Sequence, residues 1–123
     1  LSFDAANKPW FQPPSWIFGP VWFFLYATML FSIVVAWNDR EKIPAEIFVL
    51  FGFQLALNLI WASFFDESDY FMSFLIIIGM VAFSIAYVVL IYPYNSTAAY
   101  LLVPYVLWIS FATIINGWYY LEG

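Results

Sequence analysis

The chain has 123 residues, and neither cysteine nor histidine is among them. Without cysteine there is no disulfide and no thiolate metal site. Without histidine there is no imidazole to ligate haem iron or zinc, and the usual general base near neutral pH is missing. Charge is scarce: 9% of residues are Asp, Glu, Lys or Arg, where about 25% is typical. Lys8, Arg40 and Lys42 are the whole basic complement, and the net charge is −5. Nucleic acids require a basic footprint, so they are excluded as partners. There is no G-x-G-x-x-G, no P-loop, no G-x-S-x-G and no pair of carboxylates within a hydrophobic run. Hydrolytic, phosphoryl-transfer and metal chemistry therefore lack their parts. Every Asp, Glu, Lys and Arg falls in a loop or at the edge of a run, which argues against an ion-coupled pump.

What is present is apolar. Hydrophobic residues make up 66% of the chain, against roughly 45–50% in ordinary globular domains. A run of 18 or more apolar residues is long enough to cross a bilayer. Four such runs are expected to form helices, at residues 16–37, 43–65, 70–92 and 98–121. The chain reads as an all-α, multi-pass integral membrane protein with one domain over residues 1–123. Residues 1–15, punctuated by Pro9, Pro13 and Pro14, read as a loop that folds over the bundle as a lid or lies on the membrane. Pro20 is placed in the first turn of the first helix, where a missing N–H costs little. Pro104 is expected to kink the fourth helix or to start its regular part. Asp66-Glu67-Ser68-Asp69 reads as a solvated turn. Counting Lys and Arg on each side gives one against two, which places residues 39–42 in the cytoplasm by the positive-inside rule.

Polar residues inside the runs are few. Gln54 and Asn58 are four apart and share a helix face. Gly52 and Ala56 form a small-residue face about 200° away, suited to close helix packing. Gly79, Ala82 and Ala86 make a similar stripe on the third helix, which otherwise reads as mostly lipid-facing. On the fourth, Tyr105, Trp108, Ala112, Ile115 and Tyr119 recur at spacings of three or four, with Asn116 at the edge of that face.

Aromatics are a quarter of the chain, including seven Trp. Trp10, Trp16, Trp37, Trp118 and Tyr92 lie near run ends, as an interfacial belt does. Trp22 and Trp108 lie deeper. A buried indole N–H usually finds a partner, and Gln54, Asn58 and Asn116 are the amides on offer. Two readings stay open on these residues alone. One is a mostly apolar pocket with a few polar groups, the usual form of a small-molecule site. The other is amides that bond helix to helix.

The stretch KPWFQPPSWIFGPVWFFLY, at residues 8–26, resembles the first loop and second helix of the TspO/MBR family, the tryptophan-rich sensory and translocator proteins. FQLALNLIWASFF is similar to that family's third helix, through Ala56, Leu57, Asn58 and Trp61. LLVPYVLWISFATIIN is similar to its fifth, through PY-x-x-W-x-x-FAT-x-x-N at residues 104–116. The three motifs occur in family order and the resemblance covers essentially the whole chain. It implies a bundle that has five helices in the family, the first of which is expected to be absent from this chain. It also implies a homodimer and a ligand: protoporphyrin IX or haem, with a sterol or drug-like molecule in some members. By resemblance the pocket residues are Trp22, Tyr26, Asn58, Trp108, Ala112 and Asn116.

The reading that follows is a membrane tetrapyrrole-binding protein acting in porphyrin regulation, transport or stress sensing. Two alternatives stand beside it. One is a light-dependent porphyrin-degrading enzyme with Trp108 as the reactive indole. The other is a structural or adaptor protein with a vestigial pocket. Ser2 and Phe3 stand where the family's first loop carries a Trp-Tyr pair linked with the light reaction, which weighs against the enzyme. No basic residue follows Lys42, so the family's sterol motif near the C-terminus is absent.

Overall fold

The computed structural model describes residues 10–122, so the readings placed on Ser2, Phe3 and Lys8 lie outside the described residues. Four helices follow one another: α1 (Ser15–Asn38), α2 (Ala45–Asp66), α3 (Tyr70–Ile91) and α4 (Ser96–Glu122). All four are long and apolar enough to cross a membrane. Their ends fall within two residues of the bounds expected from sequence, because charge and proline punctuate the chain sharply.

The boundaries have local causes. Pro14 and Pro44 occupy the N-cap positions of α1 and α2, where a residue without an N–H leaves no helical bond unmade. Asp69 caps α3 by accepting from the Met72 N–H at 3.2 Å. Asn95 caps α4 by accepting from the Ala98 N–H at 3.0 Å. A short polar side chain at the N-cap satisfies one of the orphan donors of a helix start. The Asn95 amide also donates to Asp39 Oδ2 at 2.8 Å, clasping the α1–α2 and α3–α4 loops together at one end of the bundle. The acidic turn at the other end is exposed, and Ser68 within it adopts a left-handed φ of 62°. Among the described residues no group of acidic side chains is placed to hold a metal ion.

Packing runs in the order α2–α3–α4–α1. Side chains close the remaining side: Trp37 of α1 meets Phe48 of α2 edge-on at 5.5 Å. Each helix buries one stripe. On α1 it is Phe18, Trp22, Leu25, Met29, Ser32 and Ala36, at helical spacing of three and four. Only 28–39% of each span's most apolar window is buried. The rest, such as Phe23, Leu30, Leu59, Val89 and Leu107, points outward. In water such a surface would aggregate. In a bilayer it is the lipid-facing surface, and the chain is an integral, multi-pass membrane protein.

Three expectations are corrected. Helix α1 starts at Ser15, so Pro20 is its sixth residue and lies in the second turn. The carbonyl of Trp16 thereby loses its helical donor, which membrane helices tolerate. Pro104 does not begin the regular part of the last helix, because α4 is already helical from Ser96. Gly52 and Ala56 do not pack within the chain: both are exposed, and a Cβ at Gly52 would meet nothing within 4 Å. Gly79, by contrast, does pack, since a Cβ there would come 3.2 Å from Leu57 Cδ1 of α2.

Candidate functional site

Toward the end of the bundle where α1 begins, α1, α2 and α4 each contribute a tryptophan to one cluster. The Trp22 ring lies 6.2 Å from Trp61 and 6.4 Å from Trp108, perpendicular to the latter. Tyr26 stands one turn further along α1, with its ring 5.8 Å from Trp22. Trp108 is flanked by Phe18 at 5.6 Å and Phe111 at 5.7 Å. Edge-on and offset contacts of this kind let the positive ring edge meet the negative face of a neighbour. Ala112, one turn after Trp108, is fully buried. Its single methyl is smaller than the Trp108, Ile115 and Tyr119 side chains on the same face of α4.

The loop before α1 covers the cluster. Phe11 rests on Phe111 at 6.3 Å, and Tyr119 donates its hydroxyl proton to Gln12 Oε1 at 2.7 Å. Residues 11 and 12 thus tie down the segment that leads into α1.

The amides around the aromatic layer are engaged. Tyr26 donates to Asn58 Oδ1, and the Asn58 amide donates to the Tyr105 hydroxyl at 2.9 Å. Asn58 therefore joins α1, α2 and α4. Asn116 accepts from the Trp61 indole at 2.9 Å and donates to the Tyr70 carbonyl at 3.1 Å, joining α2, α4 and the start of α3. Gln54 accepts from Ser84 at 3.4 Å and donates to the Met29 sulfur at 3.6 Å. Nearer the far end, Ser32 donates to the Ala98 carbonyl at 2.7 Å. Its one proton is then spent, so Tyr87, 3.0 Å away, is the donor to Ser32.

Two donors stand outside this network. The indole nitrogens of Trp22 and Trp108 are buried and have no hydrogen-bond partner among the described residues. Trp22 itself is only 4% exposed. An unmade hydrogen bond at a buried donor costs about 1–3 kcal/mol, and here two such donors occur on adjacent, touching rings. The amides expected as their partners are committed elsewhere.

The six residues taken from the resemblance thus fall between the middle of the bundle and the end where α1 begins. Trp22, Tyr26, Trp108 and Ala112 belong to the aromatic layer, Asn58 braces it from below, and Asn116 holds Trp61 from the side of the acidic turn. Trp61 and Tyr105 are not among those six, although each is bonded to one of them. Spacing offers a signal for both: Trp61 stands three residues after Asn58 and Tyr105 three before Trp108, and residues three apart are neighbours on a helix. The belt readings are consistent with exposure: Trp10, Trp16, Trp37 and Tyr92 all point outward, while Trp118 is half-buried.

Comparison with known proteins gives the family. The TspO/MBR family model matches residues 2–121. The "Tryptophan-rich protein TspO" of Archaeoglobus fulgidus is 34% identical over 120 residues, covering 97% of this chain and 78% of the relative. The "Translocator protein" of Homo sapiens is 32% identical over 121 residues, covering 93% and 70%. The "Tryptophan-rich sensory protein" of Cereibacter sphaeroides is 29% identical over 115 residues, covering 93% and 72%. A match across nearly the whole chain, to motifs that build one aromatic cluster in a four-span bundle, makes this chain a member of the TspO/MBR family.

Proposed function

We propose that the cluster around Trp22 and Trp108 is a binding site for a tetrapyrrole, protoporphyrin IX or haem. On this reading the chain acts in porphyrin regulation, transport or stress sensing. The observation that carries it is the pair of unpartnered indole N–H groups. A packed bundle gains nothing from two orphaned donors, whereas a ligand with hydrogen-bond acceptors satisfies both. The surrounding rings suit a flat apolar body, and sites of this kind pair such walls with a few polar groups. Trp22 and Trp108 stack on or bond the ligand, and Tyr26 and Asn58 form the wall beside it. Ala112 leaves space. Asn116 acts through Trp61, whose ring it holds. The loop at residues 10–14 serves as a lid.

The test is a titration of detergent-purified protein with protoporphyrin IX, read by quenching of tryptophan fluorescence. Saturable quenching is expected, weakened roughly three- to tenfold in Trp108→Phe, the loss of one hydrogen bond. Non-saturable quenching, identical in both proteins, contradicts the assignment. Illuminating the complex separates binding from degradation: loss of the porphyrin band faster than in empty micelles would favour the enzymatic alternative.

The same reading takes the chain to be a homodimer, with the exposed face at Gly52 and Ala56 as its seam, since small residues let membrane helices approach closely. The chain has no cysteine, so Gly52→Cys creates a single thiol. Oxidation in membranes should trap a disulfide-linked dimer, and Leu107→Cys, at an exposed position on α4, should trap less. Equal trapping would argue against that seam.

A further inference from the structure

The charges of the chain stand at the two ends of the bundle, and the ends are unlike. Helices α1 and α3 start at the end nearer the aromatic cluster, and α2 and α4 finish there. Asp66, Glu67 and Asp69, all exposed, lie in or beside the α2–α3 turn at that end, and Glu122 closes α4 at the same end. Among the described residues no Lys or Arg lies there. Arg40 and Lys42, with Asp39, Glu41 and Glu46 around them, belong to the opposite end, about 33 Å away by the rise of a 22-residue helix such as α2. Residues 1–9 add one charge of each sign, Asp4 and Lys8.

The aromatic cluster lies close to this acidic rim. Trp61, 6.2 Å from Trp22, precedes Asp66 on α2 by about 8 Å of helix axis. Phe65 stands between them, with its ring 5.3 Å from Trp61. On its other side Phe65 meets Tyr70, the residue after Asp69, at 5.2 Å. Toward the middle of the bundle the site is closed by Tyr26, which donates to Asn58, and by the buried Asn58 and Tyr105, bonded at 2.9 Å. A ligand carboxylate pushed into that layer would be stripped of water with no described cation beside it, and an unpaired buried charge is costly. A charged group on a ligand therefore turns to the rim, where water reaches it.

We propose that the acidic turn makes this site selective for a tetrapyrrole whose side-chain carboxyls are esterified, over one whose carboxylates are free. The inference rests on the tetrapyrrole reading given above and adds to it the charge of the ligand. The ring and its acceptors meet the Trp22 and Trp108 indoles in either form, since those N–H groups are buried and without a partner among the described residues. The difference arises at the rim. Two free propionates bring two negative charges to a place that already holds those of Asp66, Glu67 and Asp69, and like charges repel. Ester groups keep the acceptors and the flat apolar body and bring no charge. Because the three rim carboxylates are exposed, the repulsion acts through solvent and is screened by salt. A porphyrin with free propionates still binds through its ring, so its titration saturates, at lower affinity.

The test compares protoporphyrin IX with its dimethyl ester in an uncharged detergent, each corrected for partition into empty micelles. In the wild type the ester should bind more tightly. Its advantage should widen roughly three- to tenfold as salt falls from about 1 M to about 0.01 M, where the Debye length grows from about 3 Å to about 30 Å. The combined variant Asp66→Asn, Glu67→Gln, Asp69→Asn removes the three charges and keeps a capping side chain at residue 69. It should bind the ester as the wild type does and the free acid roughly three- to tenfold more tightly at low salt. Most of the salt dependence should vanish with it. Glu41→Gln combined with Glu46→Gln, at the far end, should leave both affinities unchanged. An ester-to-acid ratio that is equal at both salt concentrations, or equal in the triple variant and the wild type, overturns the proposal. So does a free acid that outbinds the ester at low salt. A failure of both porphyrins to bind saturably is a different result, which overturns the tetrapyrrole reading and the selectivity with it.

Discussion

Replacing Trp22 and Trp108 together by phenylalanine should raise the dissociation constant for protoporphyrin IX by roughly ten- to a hundredfold. The estimate is two hydrogen bonds at about 0.5–1.5 kcal/mol each, with most of the stacking area kept. The same double variant should hold or raise the melting temperature of the ligand-free protein. Each indole N–H is a buried donor without a partner among the described residues, and removing it relieves an unmet cost that offsets the volume lost with the ring. Loss of affinity without loss of stability is the mark of a binding residue rather than a packing one. Thermal unfolding in detergent with and without porphyrin measures both. A double variant that binds unchanged, or that binds unchanged and melts several degrees lower, would assign the two indoles to packing.

The second large effect falls on stability. Asn116 is fully buried and uses both ends of its amide, on Trp61 and on the Tyr70 carbonyl. Asn116→Leu is nearly isosteric but removes the acceptor of the Trp61 indole, while the Tyr70 carbonyl keeps the Ser73 hydroxyl, which donates to it at 3.2 Å. At about 1–3 kcal/mol for one orphaned donor, the bundle should lose roughly that much in a reversible detergent-unfolding titration. The figure is an upper range, because polar contacts between membrane helices average nearer 0.6 kcal/mol when the unfolded state finds partners. A loss below about 0.5 kcal/mol would mean that the Trp61 indole finds another acceptor. Porphyrin affinity should fall as well, because Trp61 is the ring that supports Trp22 at 6.2 Å. The two effects have one cause, so restoring stability alone, with a lipid or additive, should not restore affinity.

Much of this arrangement is legible in the sequence. Four apolar runs, broken by Asp39-Arg40-Glu41-Lys42, by the acidic turn and by Pro93, could only be spans. The shared face of Gln54 and Asn58 follows from their four-residue spacing, and both are buried. The face from Tyr105 to Tyr119 follows in the same way. What the sequence did not disclose is who bonds whom. Three amides and two deep tryptophans suggested indole-to-amide pairs. The structure pairs Asn116 with Trp61 instead and gives Asn58 to two tyrosines. That choice depends on the rotation of each helix about its axis, and periodicity fixes such rotation only to within a residue or so. The small-residue face at Gly52 and Ala56 failed as an intrachain contact for a related reason. A stripe of small residues allows close approach but does not say to what. The bond that Met29 accepts from Gln54 is invisible to pattern altogether, since an apolar residue on a buried stripe gives no hint of it.

The central claim is that the Trp22 and Trp108 indoles are donors waiting for a ligand. Its most direct test is the NMR spectrum of protein labelled with nitrogen-15 at tryptophan, with Nε1–H signals assigned through single Trp→Phe variants. On adding protoporphyrin IX to saturation, the Trp22 and Trp108 signals should move downfield as their protons become hydrogen-bonded. The Trp61 signal, already bonded to Asn116, should move far less. If Trp22 and Trp108 stay in place while porphyrin binds, the ligand lies elsewhere on the bundle and the account of this site is wrong.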